Sequence, residues 1–471
     1  MARNKIDLIR REGDTLTVPE TMSLSSARDL LLEVEQAEEQ RIRRTLALPP
    51  HLPADVAVAF QRSILEVCGI AMGQGRETFF GSQPPEVRVE QISDTETVEF
   101  FLGDLRCPFD PKNGELSVGA THDARGQWVG YISGTFRQKF LPVWERIAKQ
   151  TRERLKTGSI YKGHSLRVSF TDGDHEDRAF PAIAPWTVAG ALDSDILLFD
   201  DDVQAAVEDH LLTPLQHPDA IAKAGIPVKR GVLLAGLYGT GKTALARLMA
   251  KVALLSGWTV LYLDTVRDLP HGIRFAAAGL GRTLIIAEDL DRIGQDRDEN
   301  MDTLLNTLDG VDTKDLPVMT VLTTNYPERL YPGIIRPGRI DAVIEIPPPG
   351  PAVALRIARM YLGEQYNDAD SSEAEEEKLA AALAGLIPAT IREICERSKL
   401  STVTRTGKAP QEGSITAGDV HRAAGSMRNQ LSMIAKAIVA REAPAVPALD
   451  TALRSLVADS ASKAIENRWP E

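Results

Sequence analysis

The chain is poor in the residues that would tie it together covalently or seat it in a bilayer. Its 471 residues include three cysteines, Cys68, Cys107 and Cys395. They lie far apart in no metal-like spacing, which excludes a disulfide framework or a cysteine-based zinc site and leaves isolated reduced thiols. No apolar run approaches the ~20 residues that cross a membrane. The opening Met-Ala-Arg-Asn-Lys-Ile-Asp leads into charged sequence without a signal-peptide apolar core, so a soluble, cytoplasmic protein is expected. Basic residues are not in excess either: 54 Lys and Arg face 66 Asp and Glu, a formal net charge of −12. That balance argues against broad affinity for nucleic acid. The remainder, 43% apolar and 25% charged, is ordinary globular composition, and the length suits roughly two to four domains.

Against this plain background one segment stands out. Residues 236–243 read Gly236-Leu237-Tyr238-Gly239-Thr240-Gly241-Lys242-Thr243, directly after the apolar run Gly231–Ala235 and before Ala244–Leu255, which has helical composition. A strand, a glycine-rich loop and a helix in that order predict a phosphate-binding loop. Glycines let backbone N–H groups turn inward around phosphate oxygens, and the helix N-terminus at Ala244 adds partial positive charge. Lys242 can reach β- and γ-phosphates, and the Thr243 hydroxyl can ligate Mg²⁺.

Downstream, short apolar runs at Trp258–Leu263, Thr283–Ala287, Val318–Thr323 and Ala342–Ile346 alternate with helical segments such as Met301, Leu304, Leu305 and Leu308 before Gly310. Nearly continuous apolar strands between helices predict a doubly wound parallel sheet. Two runs end in polar clusters where such sheets bind ligands. The first, Glu288-Asp289-Leu-Asp291, offers one carboxylate for Mg²⁺ and a neighbour to orient water. The second ends at Asn325, whose amide can hydrogen-bond the lytic water or the γ-phosphate. Arg336 and Arg339 then sit on a Pro/Gly-constrained loop. Guanidiniums here suit either surface ion pairs or charge on a transferred phosphoryl group.

Outside this core, Leu24, Ala27, Leu31 and Val34 mark an initial helical face. Val87, Val89, Val98 and Phe100, Trp128–Ser133 and His164–Phe170 follow strand period. Phe136, Phe140, Val143, Trp144 and Ile147 predict an amphipathic helix between the later strands. The run Asp172-Gly-Asp-His175-Glu-Asp177 is read as a polar turn, since no distant ligands complete a metal site. The expected fold is α/β: a P-loop doubly wound sheet over 186–347, a helical lid over 348–436, an α+β domain over 1–185, and a linker with a last helix over 437–471.

From about Leu197 to Ala423 the chain resembles the AAA clade proper of the AAA+ ATPases. The likeness is carried by Pro214–Pro218, Gly225–Leu234, Gly236–Thr243, Leu308–Val311, Thr323–Asn325 and the specific Ile334-Ile-Arg-Pro-Gly-Arg-Ile-Asp341. It implies a ring, usually a hexamer, with ATP and Mg²⁺ at subunit interfaces. It makes Asn325 the sensor and lets Arg336 and Arg339 act on a neighbour's ATP. Gly385–Ile391, with Ala389, becomes the nucleotide-facing start of a lid helix.

Three positions depart from that pattern. The acidic pair is Glu288-Asp289 where most relatives have Asp then Glu, so Glu288 becomes the magnesium-side carboxylate and Asp289 the shorter, water-activating one. This order resembles the mitochondrial Rieske-protein translocase family. Pro388-Ala389 stands where many relatives have Gly-Ala. Val266-Arg-Asp-Leu-Pro-His-Gly272 lacks the aromatic grip of peptide-threading relatives. The resemblance implies an ATPase that remodels or moves a protein client taken up through residues 1–185. A slow ATP-controlled assembly switch is the alternative. A nucleic-acid remodeller ranks last on charge.

Overall fold

The N-terminal part of the chain builds helices onto an antiparallel sheet, and the C-terminal part builds them around a parallel one. In the computed structural model the described residues are 10–12, 15–17, 22–70, 77–78, 81–82, 84–122, 128–171, 177–188, 198–293, 316–334, 336, 338–367 and 372–440. The chain divides into two compact units. One comprises Met1–Lys162, Val168–Pro185 and Arg274–Gly281; the other comprises Gly163–Arg167, Trp186–Ile273 and Arg282–Glu471. The 172–176 run, the 301–310 helical pattern and everything past 440 lie outside the described residues.

In the first unit, helix α1 (Leu24–Glu39) precedes strand β1 (Arg41–Ala47) and helix α2 (Pro53–Cys68). Strands β2 (Glu86–Gln91), β3 (Thr97–Arg106), β4 (Glu115–His122) and β5 (Trp128–Arg137) then lead to helix α3 (Leu141–Thr157). The sheet order is β1-β5-β4-β3-β2, antiparallel throughout. Two expectations need correcting. On α1 the buried residues are Leu30 and Val34, whereas Leu24 is 93% exposed, so the seam starts one turn later. Phe136 belongs to β5, not to a helix; α3 starts at Leu141, with Pro142 setting its first turn. Phe136 meets Trp144 through tertiary packing, ring centroids 5.6 Å apart.

Helix α2 was not anticipated, although Val56, Phe60 and Ile64 give it a buried stripe and Gly69 closes it in left-handed conformation. Beneath it, a Cβ on Gly130 of β5 would lie 2.5 Å from the Val56 side chain. At the start of α2, Asp55 is 2% exposed and accepts hydrogen bonds from Ser159 Oγ (2.9 Å) and the Ile160 N–H (2.8 Å). Burial pushes its carboxyl up to about 7 against those hydrogen bonds. The native state therefore holds a proton that the unfolded chain releases near pH 4, and the associated stability is lost as pH rises through about 7. Thermal unfolding followed from pH 4 to 8 is expected to show this decline, and Asp55→Asn to flatten it by roughly 10 °C. Equal slopes in both proteins would refute the role of Asp55.

Strand β6 (Ser165–Thr171) follows, then β7 (Asp177–Pro185). The second unit carries β8 (Arg230–Ala235), α4 (Lys242–Leu255), β9 (Thr259–Leu263), the first residues of α5 (Leu269–Ala277), β10 (Thr283–Ala287), β11 (Val318–Thr324) and β12 (Ala342–Glu345). Within this unit the strand order is β9-β10-β11-β8-β12, and these pairings are all parallel. Strand β6 was expected with the N-terminal strands, but Val260 N–H donates to His164 O beside its start. Val232, Leu234, Val260, Leu284, Ile286, Met319 and Val321 face one core with Leu245 and Met249 of α4. Leu233, Leu261, Ile285 and Leu322 on alternate positions are equally buried, which is why the strands read as unbroken apolar runs.

Helices α6 (Pro351–Leu362), α7 (Glu373–Leu383), α8 (Pro388–Thr406) and α9 (Ala417–Ala440) complete the chain's described part. They enclose their own core, including Ile357, Leu383, Ile391, Ile394 and Val420. The acidic start of α7 is a capping box: Ser372 Oγ accepts from Glu375 N–H, and the Glu375 carboxylate accepts from Ser372 N–H.

Candidate active site

Parallel register brings the ends of three strands to one edge. Ala235 pairs with Thr324, and Ala287 pairs with Leu322, so Gly236, Asn325 and Glu288 emerge side by side from β8, β11 and β10. Gly236 N–H donates to Thr324 O (3.3 Å), which ties the loop to the strand carrying Asn325.

The loop needs its glycines. A Cβ at Gly236 would lie 2.5 Å from Ile346 O. One at Gly239, whose φ is +79°, would lie 2.9 Å from the Ala389 Cβ. Ala389 N–H donates to Gly239 O (3.3 Å), so the first turn of α8 rests on the loop. Lys242 is 6% exposed, and its ammonium donates to Gly236 O (2.7 Å) and Leu237 O (2.8 Å). Burial lowers its pKa to about 8, opposed by the charges of Asp289, Asp291 and Glu288. Thr240 Oγ1 donates to Leu237 O, Thr243 is exposed on the first turn of α4, and no side chain caps that helix start. Tyr238 is 59% exposed and meets Tyr326 edge-on at 5.8 Å. An uncapped 14-residue helix, a buried lysine and inward glycines fit a phosphate chain.

The acids share the work unequally. Asp289 has φ +58°, the sole positive value among the described non-glycine residues. Asp tolerates that conformation better than most side chains, which supplies a physical reason for Asp in the second place of the pair. Its backbone N–H donates to Thr323 Oγ1 (3.1 Å), Asn325 Nδ2 donates to its Oδ1 (3.0 Å), and Arg292 pairs with its Oδ2 (2.6 Å). Glu288 Oε2 accepts from the Tyr262 hydroxyl (3.2 Å), whereas Glu288 Oε1 is buried without a partner. A buried carboxylate oxygen left open beside a phosphate loop fits Mg²⁺, with Thr243 as the hydroxyl donor.

Sequence reasoning missed three contributors. Asp291 accepts from Thr324 Oγ1 (2.9 Å) and Asn325 N–H (3.0 Å), and so orients the end of β11. Arg292 and Tyr262 hold Asp289 and Glu288 respectively. Asp291 was visible in the acidic run; nothing local marked the other two.

Arg336 and Arg339 lie elsewhere. Arg336 is exposed, and Arg339 donates to Gly333 O (2.7 Å). Their loop adjoins the start of β8: Gly231 N–H donates to Asp341 Oδ2 (2.8 Å), and a Cβ on Gly231 would lie 2.6 Å from Arg339 O. The phosphate loop begins at the other end of that strand, about 16 Å away. The structure does not bring these arginines to the chain's own Lys242.

Residues 232–348 match the family described as ATPase family associated with various cellular activities (AAA). These residues form an AAA ATPase domain. Relatives of this chain include a 26S proteasome regulatory subunit 8 homolog from Schizosaccharomyces pombe, 33% identical over 168 residues, or 31% of this chain and 41% of that protein. A proteasome-activating nucleotidase from Methanocaldococcus jannaschii is 30% identical over 208 residues, 40% of this chain and 47% of that protein. An ATP-dependent zinc metalloprotease FtsH from Helicobacter felis is 30% identical over 196 residues, 36% and 30% respectively. The chain spans less than half the length of each of these three. Within the AAA domain, the segment Val266–Gly272 is packed structure: Val266 and Leu269 are buried, and Gly272 lies against Leu263. Among the described residues no helix is long and apolar enough to cross a membrane.

Proposed function

We propose that this chain is a ring-forming, Mg²⁺-dependent ATPase, a hexamer by its likeness, that couples ATP binding and hydrolysis to remodelling or translocating a protein client. The juxtaposition of Lys242, Glu288, Asp289 and Asn325 at one sheet edge carries this reading, with Asn325 donating directly to Asp289. Gly236–Thr243 and Ala244 cradle the phosphates, and Ala389 lies on the adenine side. Thr243 and Glu288 would hold the metal. Bound there, Mg²⁺ would supply positive charge that offsets the charge of the phosphate chain. Asp289 takes a proton from the attacking water, which Asn325 helps aim. Arg336 and Arg339 face a neighbouring copy's ATP, a role supported by their distance from the chain's own loop. The Glu288-Asp289 order keeps its likeness to the Rieske-protein translocases, with residues 1–185 as client or adaptor domain and 348–436 as lid.

The names of the relatives, a proteasome regulatory subunit, a proteasome-activating nucleotidase and an ATP-dependent metalloprotease, support a protein as client. A second reading, a slow assembly switch, is favoured by the packed Val266–Gly272 segment, which offers no exposed aromatic grip. Single-turnover against steady-state hydrolysis separates the two: a motor turns over repeatedly and accelerates with client, a switch stalls with nucleotide bound.

Lys242→Ala is expected to weaken ATP binding more than about a hundredfold, ~3 kcal/mol. Wild-type affinity should also fall as pH rises through about 8, because the free site then loses the lysine proton that binding requires. Retained affinity in the variant, measured by equilibrium titration, would exclude the phosphate-loop role.

A further inference from the structure

Glu288 is held from a direction that the phosphate loop does not explain. Tyr262, on the second residue from the end of β9, donates its hydroxyl to Glu288 Oε2 at 3.2 Å. A phenylalanine would fill the same core position; the hydroxyl adds one contact, and that contact is the acid. Between a phenolic hydroxyl and a carboxylate oxygen the hydroxyl is the donor. The other carboxylate oxygen, Oε1, is buried with no partner. On its far face the Tyr262 ring stacks on Trp186, centroids 4.5 Å apart and planes within 25°. Trp186 is the residue after β7 with which the second unit resumes, and its N–H donates to Ser165 O (2.9 Å).

We propose that Tyr262 is a positioning residue for the metal-side carboxylate: it occupies Oε2, directs Oε1 to the magnesium of the nucleotide, and is itself held in register by Trp186. This rests on the ATPase reading above. The physical reason is that a carboxylate on a flexible stem loses rotamer freedom on ligation, and a hydrogen bond made beforehand removes part of that loss. The stack ties the Tyr262 ring to Trp186, in the segment leaving Pro185.

The test is equilibrium binding of a fluorescent ATP analogue to the full chain, first in chelator and then in Mg²⁺. Tyr262→Phe should bind as wild type in chelator, while the gain in affinity on adding Mg²⁺ shrinks about tenfold. Trp186→Ala should shrink it in the same direction, and Trp186→Phe should restore it. An undiminished gain in Tyr262→Phe overturns the proposal, as does a loss already present in chelator, which would mark a general packing role. A diminished gain in Tyr262→Phe with a full gain in Trp186→Ala overturns the Trp186 part. Failure of wild type to bind the analogue at all would instead strike the ATPase reading.

Discussion

Asp289→Asn should trap ATP: turnover falls about a thousandfold, ~4 kcal/mol in the barrier, while nucleotide affinity changes little. The substitution removes the base and almost nothing else. Asn shares the tolerance of Asp for positive φ, so the backbone at +58° is kept. Its amide oxygen can still accept from Asn325, and the exposed Arg292 loses only a surface partner. Glu288→Gln should differ, weakening the response to Mg²⁺ before it slows chemistry. If Glu288→Gln instead gave the trapped, metal-competent state, the roles of the two acids would have to be exchanged. A pull-down with Asp289→Asn held in ATP would then retain the client for identification.

Arg339→Ala should leave ATP binding within about twofold and reduce steady-state hydrolysis roughly a thousandfold, the scale of a charge lost from a transferred phosphoryl group. Its backbone adjoins Gly231, at the end of β8 remote from the phosphate loop by about 16 Å of strand, which supports assigning a loss of turnover to another copy's site. Mixing experiments make this decisive. Equal amounts of Arg339→Ala and Lys242→Ala proteins should recover part of the activity, because some interfaces then pair an intact loop with an intact arginine. Normal turnover in Arg339→Ala alone would remove the arginine from catalysis. Arg339 also donates to Gly333 O, so oligomeric state and thermal stability need to match wild type before the loss is assigned to chemistry.

Much of the nucleotide-binding fold was legible because its signals are local. Strands buried on both faces are apolar at most positions: Gly231–Ala235 and Leu284–Ala287 are apolar throughout, and Val318–Thr324 is interrupted by threonines alone. The capping box at Ser372 and Glu375 likewise announces its helix within four residues. Where reading went astray, two elements competed for the same pattern. Phe136 fits helical spacing with Phe140 and Val143, yet the sheet claims it because β5 pairs with β1 up to Arg137, Phe136 lying opposite Ile42. His164–Phe170 looks like any other strand, and only pairing decides that its start lies beside β9.

The sequence by itself determined a phosphate loop between strand and helix, two acid- and amide-tipped strands, and a parallel sheet to hold them. These follow from residue spacing along a chain whose backbone geometry is regular. Tertiary structure alone decided how the acids are held. Asp289 meets Asn325 36 positions on, and Glu288 meets Tyr262 26 positions back. The conformation that suits Asp at 289, and the stack that sets Tyr262 against Trp186, arise only when β9, β10 and β11 lie side by side. Contacts across a sheet depend on strand order, and no periodicity within one strand encodes its neighbour.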